Sequence, residues 1–270
     1  MSTNAEANLP GYSVLCVPGT TENTRGPGVT GMLANITGKL PARFHCSMIP
    51  YPADYGIPIS EAKSIQVGVD NAVNEIQAAP FPVVLLGYSQ GAQIVRAILA
   101  EMNHGIHAQL RVVAAGLVAD PLRPIDFASG SPELVDKLTG PGAGWGVAGQ
   151  MEEWPKSIQV WSMARPEDII PNAPGNSPVR ALADWTRWMS ITDPVAWGEE
   201  LLHKAKHNRF QAVITNWRHP IGVLRQYADA IAGIEGYLTG IHTSYGSISM
   251  PGIPMTYCDW LAQQIDDHVR

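Results

Sequence analysis

The segment Gly87-Tyr88-Ser89-Gln90-Gly91 sets a serine between glycines two positions before and two positions after it. It follows the apolar run Val83-Val84-Leu85-Leu86 and opens a stretch in which Ile94, Val95, Ile98, Leu99 and Met102 recur at helical spacing. A buried strand that turns sharply into an amphipathic helix is the setting in which a G-x-S-x-G serine serves as a nucleophile. Gly87 and Gly91 remove the side chains that would clash in so tight a turn. The turn lifts the hydroxyl clear of the sheet and aims the Gln90 N–H, at the positive end of the helix, toward a developing oxyanion. A chain with 26 glycines produces this spacing by chance as well, and a small residue in a tight strand-to-helix turn would look the same. The strand before and the helix after are what favour the nucleophile.

A serine hydroxyl needs a base, and the base needs a carboxylate that sets its tautomer and stabilises the imidazolium. In a sheet with this kind of turn the chain order is serine, acid, histidine. His45 precedes Ser89, and His104 and His107 follow the elbow helix too closely to return over the strand ends. His203 and His207 stand four apart, a spacing that could hold a metal, but H-E-x-x-H is absent and no third ligand is placed, so a solvated helix face is expected. His219 precedes a proline and His268 falls in a terminal helix. His242, in the Gly-bounded loop Gly240-Ile241-His242-Thr243-Ser244-Tyr245-Gly246, is the expected base. Two carboxylates follow strand-like runs, Asp120 after 111–118 and Asp168 after 157–163. Sites of open α/β sheets form at such C-terminal strand ends. The usual strand order favours Asp168 and leaves Asp120, which begins an Asp-Pro turn, as the second choice.

These residues must be positioned by an α/β sheet. Strand-length apolar runs recur at 12–17, 44–49, 82–87, 111–118 and 157–163. Helical patterns fall between them, one starting at Ser60 as N-cap with Ala62, Ile65, Val69, Ala72 and Ile76 on one stripe. Strands apolar on both faces that alternate with helices predict a mostly parallel central sheet flanked by helices. Residues 11–270 read as one domain behind a flexible segment 1–10, with a helical insertion at about 172–240. The insertion carries Trp185, Trp188, Trp197 and Trp217 and a helix opening at Asp193-Pro194. Its tryptophans suit a cover for an apolar substrate and equally suit packing of the insertion onto the sheet.

Composition narrows the partners. A net charge of −6 without any Lys/Arg run argues against nucleic acid or an anionic membrane surface as the main partner. Hydrophobic residues make up 45% of the 270 and no segment reaches membrane-span length, which describes an ordinary globular chain. Cys16, Cys46 and Cys258 read as buried free thiols, with neither a disulfide framework nor a zinc site signalled. The first ten residues lack the basic start and apolar core of a signal peptide. A monomer is expected, with no metal and no cofactor.

With the elbow, the acid and the base in hand, the chain resembles the cutinase-like serine esterases of the α/β-hydrolase fold, and more closely the lysin B esterases encoded by mycobacteriophages. The resemblance covers about residue 13 to the C-terminus. Gly87 to Ala92 matches the shared elbow, and Gly19-Thr20-Thr21-Glu22 after the first strand resembles the loop that supplies a second oxyanion donor, which carries that role to Thr20. Cutinases have disulfides and a short step from acid to histidine, whereas here about seventy residues separate Asp168 from His242. An insertion at that point is a lysin B feature. The first loop departs from the His-Gly-Thr-Gly frequent in lysin B and reads Pro18-Gly19-Thr20-Thr21. The resemblance implies hydrolysis of the ester between mycolic acids and arabinogalactan, a lipid ester of the mycobacterial envelope. It also implies synthesis in the host cytoplasm and action at the host envelope once lysis has begun. Other readings of the same residues are a general cutinase or lipase, an acyltransferase, and a non-catalytic envelope-binding protein on a hydrolase fold.

Overall fold

The computed structural model of the chain describes residues 11–22, 26–55, 58–177, 179–180 and 240–269. The flexible segment expected over 1–10 lies outside them. So does most of the expected insertion, including its four tryptophans, the Asp193-Pro194 helix start, His203, His207 and His219.

Among the described residues five strands form the sheet: β1 (Tyr12–Val17), β2 (Phe44–Met48), β3 (Val83–Tyr88), β4 (Val112–Val118) and β5 (Gln159–Met163). All pairings are parallel, in the order β2-β1-β3-β4-β5. β1 and β3 are buried along their whole length, as expected of central parallel strands covered on both faces. β2, at the edge, alternates between buried or half-buried and exposed positions.

Helices α1 (Ala34–Thr37), α2 (Glu61–Ala78), α3 (Gln90–Asn103), α4 (Pro132–Thr139) and α5 (Tyr257–His268) make the outer layers. Their starts obey local rules. The hydroxyls of Ser60, Ser131 and Thr256 accept from the amides of Lys63, Leu134 and Asp259, and Pro132 fills the first position of α4. Alternate residues of each strand feed two separate cores. Leu15, Val17, Val83 and Leu85 pack on the apolar stripes of α2 and α3, among them Ile65, Val69, Ile94 and Ile98. Val14, Cys16, Val84 and Leu86 pack on the other face with Leu33, Ile36, Leu134, Leu261 and Ile265. Among the described residues no helix is long and apolar enough to cross a membrane. All three cysteines are free, Cys16 and Cys258 buried and Cys46 half-buried on the edge strand.

The register levels the C-terminal ends of four strands. Val17 pairs with Gly87, Tyr88 with Val118, and Val118 with Met163. The loops that follow therefore emerge side by side, and chain order reverses between β1 and β3, where such sheets open a crevice.

Candidate active site

Ser89 leaves β3 with φ 53° and ψ −118°. Positive φ in a residue with a Cβ is strained and persists only where the surroundings impose it. Here the Ser89 amide donates to the Val118 carbonyl at 2.9 Å, and its own carbonyl accepts from the Ala92 amide at 2.9 Å. The two flanking glycines have distinct steric reasons. A Cβ on Gly87 would stand 2.7 Å from the Ala92 Cα, and one on Gly91 would overlap the Val17 carbonyl oxygen, because the start of α3 is pressed against the end of β1. The side chain of Gln90 is committed to structure, donating to the Asp54 carbonyl at 2.8 Å. Its backbone N–H is the first of α3, one that no carbonyl within the helix can reach.

The structure brings Ser89, His242 and Asp168 together. His242 Nε2 is 3.0 Å from Ser89 Oγ and His242 Nδ1 is 2.8 Å from Asp168 Oδ2. Asp168 and His242 are 2% and 3% exposed. The carboxylate sits two positions before Ile170, whose amide donates to Oδ1 at 3.0 Å. With Nδ1–H donating to the carboxylate, Nε2 is left as an acceptor for the serine proton.

Asp120 is engaged elsewhere. Its Oδ2 accepts from Arg96 Nε at 2.8 Å and its Oδ1 from the Leu122 amide at 2.9 Å, with both charged side chains fully buried. The other described histidines are also away from Ser89. His45 stacks on Phe81, His104 and His107 pair with Glu153 and Glu101, and His268 meets the edge of Trp161.

Thr20 and Ser89 line one cleft of about 440 Å³, together with Met32, Asn35, Tyr88 and His242. The loop bearing Thr20 is held from three sides. Glu22 accepts from the amides of Gly19 at 2.8 Å and Met32 at 2.9 Å. Tyr51 donates to the Pro18 carbonyl at 2.6 Å, and burial pushes its phenol up, so it remains a donor. The Thr21 amide donates to the Ala53 carbonyl at 2.9 Å, and both residues have positive φ. A donor group fixed in advance of the reaction is what an oxyanion site requires. Among the described residues no group of three or more His, Cys, Asp or Glu side chains is arranged to hold a metal ion.

Several residues of the site carried no signal in the sequence. Tyr88 stacks on the His242 ring at 5.2 Å between centroids and donates to the His242 carbonyl at 3.0 Å. Tyr245 donates to Asp168 Oδ2 at 2.8 Å. Two buried arginines, Arg123 and Arg180, tie down the segment after Asp168 and the loops beside it. Arg123 donates to the carbonyls of Pro171 (2.7 Å), Gly144 (2.6 Å), Pro124 (3.0 Å), Phe127 (3.0 Å) and Leu138 (3.3 Å), and to Asn172 Oδ1 (3.1 Å). Arg180 lies 3.8 Å over the Trp145 ring and donates to the carbonyls of Gly146, Trp145, Ala173 and Pro174. Burial brings the Arg123 guanidinium down to about 10, with the Asp120 carboxylate acting in the opposite sense. Replacing Arg123 with Met keeps much of the volume and strands these acceptors, each at about 1–3 kcal/mol. Arg123→Met is therefore expected to lower the unfolding free energy by at least about 3 kcal/mol, seen as an earlier denaturant midpoint at unchanged slope. A midpoint equal to that of the parent would show that the loops hold without it.

No family model matches the sequence, and no curated protein matches it. The comparison with solved structures finds similar chains. Lysin B from Mycobacteriophage D29 is 16% identical over 95% of this chain and 98% of its own, with a TM-score of 0.49. The catalytic core domain of acetyl xylan esterase from Trichoderma reesei is 20% identical over 75% and 99%, at 0.41. A cutinase-like protein from Cryptococcus sp. is 23% identical over 57% and 76%, at 0.37. The parallel order β2-β1-β3-β4-β5, the strained serine after β3 and helices on both faces are those of the α/β-hydrolase fold, and that is the fold of this chain.

Proposed function

We propose that the chain is a serine esterase that cleaves the ester between mycolic acids and arabinogalactan in the mycobacterial envelope. The observation that carries the esterase reading is the continuous hydrogen-bonded path from Asp168 through His242 to a strained Ser89 at the mouth of a cleft. In the first half-reaction Ser89 Oγ attacks the ester carbonyl while His242 Nε2 takes the hydroxyl proton. Asp168 stabilises the imidazolium, and the amides of Gln90 and Thr20 receive the oxyanion. Collapse of the tetrahedral adduct breaks the bond to the alcohol oxygen, and the imidazolium returns its proton to that oxygen. Water, deprotonated by His242, then attacks the acyl-serine and releases the acid with Ser89 regenerated.

The narrower substrate rests on the resemblance to lysin B, carried by the elbow, the loop Gly19 to Glu22 and the long segment between Asp168 and His242. On this reading the enzyme is made in the host cytoplasm and meets its lipid ester at the host envelope. The test is hydrolysis of purified mycolyl-arabinogalactan against tributyrin at equal ester concentration. Release of free mycolic acid at a kcat/KM at least about tenfold above that for tributyrin is expected, a preference of about 1.4 kcal/mol. The reverse preference would make the chain a general lipase or cutinase. Product that appears only with an added sugar acceptor would make it an acyltransferase.

A further inference from the structure

We propose that Tyr245 is a positioning residue of this site, whose hydroxyl fixes the Asp168 carboxylate by donating to the same oxygen that receives the His242 ring. The inference rests on the serine esterase reading and adds a member to its hydrogen-bonded path. Asp168 Oδ2 accepts from His242 Nδ1 and from the Tyr245 hydroxyl, each at 2.8 Å. The direction of the second bond is set by a third. The Arg165 amide donates to the Tyr245 oxygen at 3.1 Å, which leaves the carboxylate as the partner toward which the hydroxyl hydrogen points. Tyr245 is fully buried, and burial together with the Asp168 charge raises its phenol well above the ordinary range, so it remains a donor.

The arrangement acts on both placement and charge. His242 and Tyr245 lie in one short loop, so a single segment delivers two donors to one carboxylate oxygen and the Ile170 amide holds the other. The carboxylate then has no freedom to rotate as charge develops on the ring. The second donor also draws electron density from Oδ2 and weakens its hold on the imidazolium relative to a singly bonded carboxylate. Tyr245 is itself anchored from α5, where the Tyr257 ring meets it edge-on at 5.3 Å and the Cys258 amide donates to its carbonyl at 3.2 Å. The ionisable groups around it are Asp168, Tyr257 and, from the loop after β5, Arg165, whose guanidinium contacts Ser244 and Glu167. Outer partners of this kind typically change activity by about 10- to 100-fold when removed from metal sites, and a similar leverage is expected on a buried carboxylate.

The experiment compares the parent with Tyr245→Phe, which keeps the ring and its contact with Tyr257. The readouts are the NMR titration of the His242 ring and steady-state hydrolysis of a p-nitrophenyl ester. The titration midpoint and the acid limb of kcat/KM are expected to move upward by roughly 0.5 to 1 in pH, with kcat lowered about tenfold and KM within twofold. Site-specific replacement of Tyr245 by 3-fluorotyrosine strengthens the donor in place and should move the midpoint downward, and it serves if the Phe variant does not fold. A midpoint unmoved in either protein would overturn the proposal, because a role confined to packing changes stability without changing the ring titration. The ring signal is read whether or not any ester is cleaved, so failure of the esterase reading is seen separately as a folded parent that hydrolyses nothing.

Discussion

Ser89→Ala is expected to fold with the parent's unfolding midpoint and to lower kcat/KM for a p-nitrophenyl ester by at least about 10⁴-fold, equivalent to about 5.4 kcal/mol of transition-state stabilisation. The fold should tolerate the change because the hydroxyl is not used to hold the turn. The strained geometry of Ser89 is imposed by backbone bonds to Val118 and Ala92 and by the close approach of α3 to β1 at Gly91. Alanine has the same Cβ and meets the same strain. What it lacks is the atom 3.0 Å from His242 Nε2. Residual hydrolysis would come from the oxyanion donors and from binding alone. A fluorophosphonate should label the parent and not the variant. Parental turnover by Ser89→Ala would sink the nucleophile assignment, and failure of the parent to react would favour a binding protein that keeps the hydrolase fold.

The parts of the molecule that could be read in advance are those whose signal is summed along the chain. The five strands appear as apolar runs, and the structure places them within two residues of the expected limits. α2 and α3 announce themselves through stripes such as Ile65, Val69, Ala72 and Ile76, which face one core. The elbow is local too, since its strain and its glycines fall within five residues. The choice between Asp120 and Asp168 is different in kind. Both follow a strand, and only the lateral order β3-β4-β5 separates them, because β4 carries Asp120 immediately beside the serine strand and β5 carries Asp168 one strand further. Lateral order is a property of the assembled sheet, so the sequence could rank the two only by appeal to the usual topology.

The residues that escaped notice are those whose role depends on groups far away in the chain. Arg123 stands in a Pro-rich stretch that looks like a solvated loop, and its burial becomes tolerable only when carbonyls from residues 124 to 171 converge on it. Tyr245 reads as an aromatic in a Gly-bounded loop, and its bond to a carboxylate 77 positions earlier leaves no periodic trace. Tyr88 occupies a position that the elbow motif leaves open, yet it supports the histidine from both ring and hydroxyl. Buried polar networks are satisfied by geometry, and no single partner reveals the arrangement.

Asp168→Asn tests the acid, and the hydrogen bonds around it decide the outcome. An amide in that place must set its NH₂ on one side. If the oxygen faced His242 and Tyr245, the NH₂ would face the Ile170 amide, donor against donor. With the oxygen turned to Ile170, the NH₂ faces His242 Nδ1, which must then act as an acceptor, and the Tyr245 hydroxyl, whose hydrogen must turn away. The ring proton moves to Nε2 and points at Ser89 Oγ, so the imidazole can no longer take the serine proton. The wrong tautomer in an otherwise intact site costs about 10⁴-fold in kcat in serine proteases, and a loss of that order is expected here at a nearly unchanged melting temperature. Asp120→Asn should do the reverse. It removes the charge facing Arg96 where both side chains are fully buried, a change worth about 3–5 kcal/mol of stability, while the folded fraction keeps its turnover. Kinetics normalised to active sites, measured beside thermal unfolding, separate the two effects. A folded Asp168→Asn enzyme with parental kcat, or a stable Asp120→Asn enzyme without turnover, would transfer the role of acid to Asp120 and require the His242 loop to reach one strand less far across the sheet.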